Sequence, residues 1–253
     1  AYLQGLATEP HPIGKQEPPF ILGHEFSGTI VEIGEGIRKY KVGDRVVVEP
    51  LLYCGECYAC KIGYYNQCSQ VGFIGLNRDG GFAEYAIVDE NMLHLLPDNV
   101  SFEEGALVEP AAVALHAVRE SKLKPGDSVA IFGAGPIGLL ALLCAKAAGA
   151  TKIIVVDLSQ ERLAKAKELG ATTIIDGHRD DIVQTILQLT NGGANVAYEC
   201  AGAQATMANA IASVRQRGQV MAIAVYSKPV NVDMGQVLYK AIDLTSTLAY
   251  RHV

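Results

Sequence analysis

Nothing in the 253 residues reads as a membrane span, because no apolar run is both long enough and clean enough to cross a bilayer. The most apolar stretch, 136–150, carries Lys146 and is bounded by glycines, so it reads as a buried helix. A basic surplus is missing too. Twenty-one Lys and Arg against 27 Asp and Glu leave a net charge of −6, which argues against a nucleic-acid partner. There is no internal repeat, no low-complexity tract and no visible secretory signal, so a cytoplasmic globular protein is expected. The chain starts at Ala1 without Met, so the natural start is expected upstream. Cysteine is scarce outside one cluster, with six in all, and without an export signal these argue for reduced thiols and metal binding rather than disulfides.

What is present divides into two halves of different texture. Up to about Pro97, short apolar runs are broken by Gly, Pro, Asp and Asn. Residues 28–33, 45–49, 81–88 and 92–96 read as strands with turn signals between them. Helical periodicity is slight there, so an antiparallel, barrel-like β domain with long loops is expected. From Leu107 helices and strands alternate. Helices are expected at 107–121, 136–148, 180–190, 204–215 and 235–241, with another that Ser159 caps and Gly170 stops. Strands are expected at 128–132, 152–157, 173–175, 196–199, 219–225 and 244–248. Such alternation builds an α/β doubly wound parallel sheet, and six strands is the full count of its dinucleotide-binding, or Rossmann, version.

One glycine loop sits where that version needs it. Phe132, Gly133, Ala134, Gly135, Pro136, Ile137 and Gly138 contain G-x-G-x-x-G between an expected strand and an expected helix. Gly133 would make the tight turn, Gly135 would let the backbone approach a pyrophosphate, and Gly138 would let the helix pack closely on the sheet. The free N–H groups of the helix start would then face the phosphates, and Pro136 suits the first turn, where its missing N–H is not needed. Asp157 ends the next strand, where a carboxylate binds ribose hydroxyls and repels a 2′-phosphate, so NAD is favoured over NADP. Arg162 is the counter-indication, since an arginine near the ribose tolerates that phosphate.

Cys54, Cys57, Cys60 and Cys68 read C-x2-C-x2-C-x7-C, with Gly55 and Gly63 allowing sharp turns. Four thiolates so spaced can close a tetrahedral cage around a zinc ion that keeps no open position, which makes the site structural. An iron–sulfur cluster would continue the run with x3-C-P, which is not found here. Cys144 and Cys200 read as small buried residues.

Gly23, His24, Glu25, Phe26, Ser27 and Gly28, followed by Gly34 and Ile37, have the form G-H-E-x2-G-x5-G-x2-I. With the cysteine lobe, Gly43-Asp44-Arg45-Val46 and the later glycine loop in order, the chain resembles the zinc-containing medium-chain dehydrogenase/reductase family over essentially its whole length. The run from Leu107 to Val118, with its Glu109-Pro110, and the stretch Thr8-Glu9-Pro10-His11-Pro12 are similar to the butanediol, sorbitol and threonine dehydrogenase branch.

That resemblance implies a GroES-like β-barrel domain over 1–108 and a Rossmann NAD-binding domain over 109–253. It implies His24 and Glu109 as ligands of a catalytic zinc, with Glu25 beside the metal and able to enter its shell. Sequence does not decide which carboxylate binds directly. The family supplies a further cysteine ligand, in C-G-x-D, ahead of the stretch where this chain begins, and no Cys precedes Cys54 here. It also supplies a C-terminal return after the sixth strand. On this reading the chain is incomplete at both ends and holds its catalytic zinc weakly or not at all. Val113, Ala201, Gly202 and Val225 are implied near the nicotinamide, and the sixth strand as an edge joining subunits into a dimer or tetramer. The expected reaction is hydride transfer between NAD and a secondary alcohol, with 2,3-butanediol/acetoin first and sorbitol or L-threonine as alternatives. A non-catalytic dinucleotide-binding protein keeping only the structural zinc is the reading from a different class. His11, His94, His116, His178 and His252 show no pattern that promotes them.

Overall fold

The computed structural model describes residues Pro10–His252; Thr8 and Glu9 of the N-terminal resemblance lie outside the described residues. The chain forms two compact units, Ala1–Pro110 with Arg251–Val253, and Ala111–Tyr250.

In the first unit, β1 (Ser27–Thr29), β2 (Arg45–Val48), β3 (Leu51–Leu52), β4 (Gly72–Phe73) and β5 (Leu93–Leu95) are joined by long loops, except that only Glu49 and Pro50 separate β2 from β3. They pair antiparallel as β1-β2-β5 and β3-β4. Tyr40, Val46, Val48, Leu52, Ile74, Met92 and Leu93 form its apolar core. Two short helices were not expected from the sequence. Helix α1 (Tyr58–Lys61) sits in the cysteine lobe. Helix α2 (Phe102–Ala106) starts with a capping box, in which Ser101 and Glu104 satisfy each other's backbone N–H groups.

The strand expected at 81–88 does not form, and the one expected at 28–33 stops at Thr29. Both segments line one open groove, with Val31, Ile33, Tyr85 and Ile87 exposed. Alternating apolar residues make a strand only where a second backbone takes up the ladder bonds, and here such bonds stop after Gly81 and Phe82, whose N–H groups reach Gly23 and Leu22.

Helix α3 (Val108–Glu120) opens the alternating part of the chain. The second unit then carries β6 (Ser128–Phe132), α4 (Pro136–Ala147), β7 (Lys152–Asp157), α5 (Gln160–Leu169), β8 (Thr173–Asp176), α6 (Ile182–Leu189), β9 (Ala194–Glu199), α7 (Gln204–Ser213), β10 (Val214–Ala222), α8 (Met234–Lys240) and β11 (Asp243–Ser246). All six strands are parallel in the order β11-β10-β9-β6-β7-β8, the doubly wound arrangement whose order reverses between β6 and β9. Both faces of the sheet are buried, since Val129 and Ile131 of β6 join one core and Ala130 and Phe132 the other. Ser159 caps α5 by accepting from the Arg162 N–H, and Gly170 ends it in the left-handed region.

Around β10 the expected bounds shift. The helix expected over 204–215 ends at Ser213, because Val214 is extended and pairs with Ala194. The strand therefore starts earlier than 219 and ends at Ala222, leaving Val225 in a loop. β11 forms an edge of the sheet. Among the described residues, no helix is long and apolar enough to cross a membrane.

Candidate functional site

Three clusters within the units carry the residues singled out by sequence. In the first unit, donor atoms of His24, Glu25 and Glu109 all lie within 4.8 Å of one another. His24 follows a glycine in the left-handed region, Gly23 at φ 101°. The Gly23 carbonyl accepts from the Gly81 N–H at 2.8 Å, while the Leu22 carbonyl accepts from the Phe82 N–H at 2.9 Å. A Cβ on Gly75 or Gly80 would lie 2.2 or 2.1 Å from the Gly23 oxygen, so these glycines let two loops close around the backbone that aims His24. The Phe73 ring tilts against the imidazole with centroids 6.0 Å apart. Sequence reasoning missed this clamp, although the glycine-rich run from Gly75 to Gly81 was its visible trace.

Glu109 enters from the first turn of α3 and is 4% exposed. Burial, and secondarily the charge of Glu25, pushes its carboxyl up to about 8. His24 and Glu25 are partly open to solvent, with 4.0 Å between His24 Nε2 and Glu25 Oε1. A buried acid whose charged neighbour is a second acid is an expensive arrangement unless a cation neutralises it. One imidazole and two carboxylates, with an open approach, fit a divalent metal such as zinc.

The four lobe cysteines also converge, with all their sulfurs within 4.8 Å of one another. Sγ separations are 3.4 Å for Cys54–Cys68, 3.5 Å for Cys57–Cys60 and 4.0 Å for Cys54–Cys60. A regular zinc–thiolate tetrahedron, with zinc–sulfur bonds of about 2.3 Å, has edges of about 3.8 Å. Backbone N–H groups of Glu56 and Cys57 donate to the Cys54 sulfur, and that of Gln70 to Cys68. N–H groups of this kind hold the Cys57 thiol down to about 6, whereas burial and the neighbouring Cys57 push Cys60 up to about 12. The donor set suits a cation that draws all four to thiolates. Gly55 and Gly63, at φ 75° and 85°, make the turns.

In the second unit the glycine loop lies at the end of β6. Gly133 has φ 102°, and Gly135 is the N-cap of α4 with Pro136 in the first turn. Gly138 is held to glycine by the loop itself rather than by the sheet, since a Cβ there would lie 1.8 Å from the Gly133 oxygen. Ile137 is half-buried and Arg162 exposed. Asp157 has both oxygens engaged, accepting from the Ala134 N–H at 2.6 Å and the Ser159 N–H at 2.8 Å. It therefore ties the glycine loop to the start of α5.

Ala201, Gly202 and Val225 come together beside Gly133: a Cβ on Gly133 would lie 3.1 Å from the Ala201 nitrogen, and one on Gly202 2.9 Å from the Val225 oxygen. What assembles them is Glu199, which sequence reasoning left as an ordinary strand residue. Its fully buried carboxylate accepts from the N–H groups of Ala201 and Gly202 at 3.0 Å, from the Thr206 hydroxyl at 2.7 Å and from the Tyr226 hydroxyl. Burial, and then this bond to Glu199, keeps the Tyr226 phenol protonated well above its usual range. Val113 lies in α3 and is half-buried.

Both parts of the chain resemble known proteins. Residues 4–98 match the alcohol dehydrogenase GroES-like domain, and residues 136–252 the family described as zinc-binding dehydrogenase. The (R,R)-butanediol dehydrogenase of Bacillus subtilis is 46% identical over 246 residues, 97% of this chain and 70% of that protein. A sorbitol dehydrogenase of the same organism is 46% identical over 85% of this chain and 63% of its own length. The chain spans 63–70% of the length of these relatives. The crystal structure of the Bacillus subtilis 2R,3R-butanediol dehydrogenase superposes with a TM-score of 0.88, covering 96% of this chain and 69% of that one at 47% identity. A zinc-binding dehydrogenase from Sinorhizobium meliloti bound to NADP superposes at 0.89, covering 93% of this chain and 70% of that one at 35% identity. With both parts of the chain matched in order, the protein belongs to the zinc-binding dehydrogenases, the zinc-containing medium-chain dehydrogenase/reductase family, in the branch that holds its butanediol and sorbitol dehydrogenase relatives.

Proposed function

We propose that the protein, at its natural length, is an oxidoreductase that moves hydride between NAD and a secondary alcohol, with the vicinal diol 2,3-butanediol and its ketone acetoin as the substrate pair. The observation that carries this reading is Glu109, a buried carboxyl raised to about 8 that shares donor-atom distance with His24 and Glu25. His24 and Glu109 would hold a zinc ion, which would supply Lewis-acid charge for an alcohol oxygen. An oxygen-rich donor set accommodates the two adjacent oxygens of a diol. His24 presents an imidazole whose backbone the Gly23 clamp fixes. Glu109 would lose its proton on meeting such a cation, and Glu25, half open to solvent, is the group able to pass a proton outward.

The second unit prepares the hydride acceptor. Glu199 locks the Ala201–Gly202 backbone, and the N-terminal N–H groups of α4 meet the pyrophosphate. Asp157 takes the ribose hydroxyls, which favours NAD; the NADP-bound relative is the reason to test it. The reaction balances as alcohol plus NAD+ giving carbonyl, NADH and one proton. A polyol is the second reading, supported by the sorbitol dehydrogenase relative. Steady-state rates with 2,3-butanediol, sorbitol and threonine, each with NAD and NADP, separate these. The expected result is kcat/KM highest for the butanediol–NAD pair, by at least about tenfold, or ~1.4 kcal/mol. Sorbitol ahead of butanediol would move the assignment to the polyol enzymes, and equal use of NADP would remove the role given to Asp157.

A further inference from the structure

A second oxygen–nitrogen donor cluster lies in the first unit, built from residues that no motif connects. Glu49 follows β2 and is nearly buried. His94 lies in β5, and the antiparallel register sets it opposite Val47, so Glu49, two residues beyond Val47, leaves from the same face. His252 comes from the far end of the chain, within the same compact unit. Both imidazoles direct Nε2 at one carboxylate oxygen, Glu49 Oε2, at 3.0 Å from His94 and 2.9 Å from His252. The rings are 5.1 Å apart and inclined at 55°.

We propose that Glu49, His94 and His252 bind a first-row divalent metal ion, zinc or nickel among them, at a site separate from both the cysteine cage and the His24 cluster. The three donor atoms lie within 4.8 Å of one another, compatible with one ion. Ligands about 2.0–2.2 Å from zinc stand about 3.3–3.6 Å apart on a tetrahedron, so the two separations above need open by only about half an ångström to admit the ion. Two imidazoles and a carboxylate are a donor set suited to zinc, nickel and cobalt. The remaining carboxylate oxygen is also fixed: the Tyr65 hydroxyl donates to Glu49 Oε1 at 3.0 Å while accepting from the His252 N–H at 2.7 Å. Partners of this kind orient a metal-binding carboxylate and set ligand geometry before the ion arrives. Arg251 stacks over the Tyr64 ring with 4.1 Å to the centroid, which anchors the segment carrying His252. His252 is 65% exposed and His94 41%, so the outer side of the ion stays open to water or an exogenous ligand. A bound ion would staple the segment that follows β11 onto β2 and β5.

The test uses zinc-loaded protein at its natural length. Its metal content per chain is measured, then further uptake is read by calorimetric titration with zinc chloride and, separately, nickel chloride. Wild type should carry or take up one equivalent more than His94→Ala and His252→Ala, or bind it at least tenfold more tightly. Both substitutions fall on solvent-accessible side chains, and unchanged circular dichroism confirms that they fold. As a second readout, the added equivalent of cobalt should give ligand-field absorption without a sulfur charge-transfer band. Identical stoichiometry and affinity in all three proteins would overturn the proposal and leave the cluster as a carboxylate–histidine ion pair.

Discussion

Glu109→Gln is expected to stabilise the metal-depleted protein at alkaline pH and to disable the metal-loaded one. The first effect follows from the sign of the Glu109 shift. In the folded chain its carboxyl is raised from 4.5 to about 8, chiefly by burial and then by Glu25. Between those values the folded state holds a proton that the unfolded state has released. Stability should therefore fall as pH rises from about 4.5 to about 8 and then level off. At ~1.4 kcal/mol for each pH unit, the loss is at most about 5 kcal/mol, and relaxation around the charged form will lower it. Glutamine has no proton to lose, so the variant should melt with a flatter pH profile and above wild type at pH 8.5. With metal present the order reverses, because a neutral amide is a poor exchange for a carboxylate ligand. We expect kcat/KM to drop at least about 100-fold, or ~2.7 kcal/mol. Thermal melts from pH 5 to 9, with and without chelator, check the first effect, and steady-state kinetics the second. A variant with the wild-type pH slope would show that Glu109 is not the buried acid described here.

Cys57→Ser is expected to remove one zinc per chain and unravel the lobe from Cys54 to Cys68. The cysteine end of the lobe has little apolar packing of its own: α1 has no buried residue, and Cys68 is the sole one of the four cysteines that is buried, while the other ties run through Tyr64, Tyr65 and the buried Asn66. Structural zinc binding is worth about 10–16 kcal/mol in small domains, so losing one ligand should cost a substantial part of that locally. In zinc-loaded wild type, these four thiols should react with a thiol reagent only after chelator is added. In the variant the remaining three should react at once. Prompt reaction of all four in zinc-loaded wild type would rule out the cage.

How much of this was readable before the structure depended on how local each signal was. Strands β6 and β7 and helix α5 match expectation because each is set by neighbouring residues: an unbroken apolar run buried on two faces, a serine cap, a terminal glycine. The cysteine lobe and the glycine loop are contiguous for the same reason. The first unit was less legible. Residues 81–88 have strand-like alternation, yet a strand needs a partner that its own sequence does not encode. Other parts of the sites were hidden because distance along the chain carries no warning of convergence. Glu199 looked like the end of β9 until the Tyr226 hydroxyl and two backbone N–H groups were found on it. His94 and His252 looked unremarkable singly, and Glu49 shows no relation to either in sequence.

The account stands most directly on diol-dependent NADH formation by the natural-length protein, measured together with zinc per chain in wild type and His24→Ala. It predicts turnover of 2,3-butanediol by wild type, and in His24→Ala one zinc fewer with activity lowered at least about 100-fold, or ~2.7 kcal/mol. Wild type that binds NAD yet oxidises no alcohol, or a His24→Ala variant with full zinc and full activity, would contradict it.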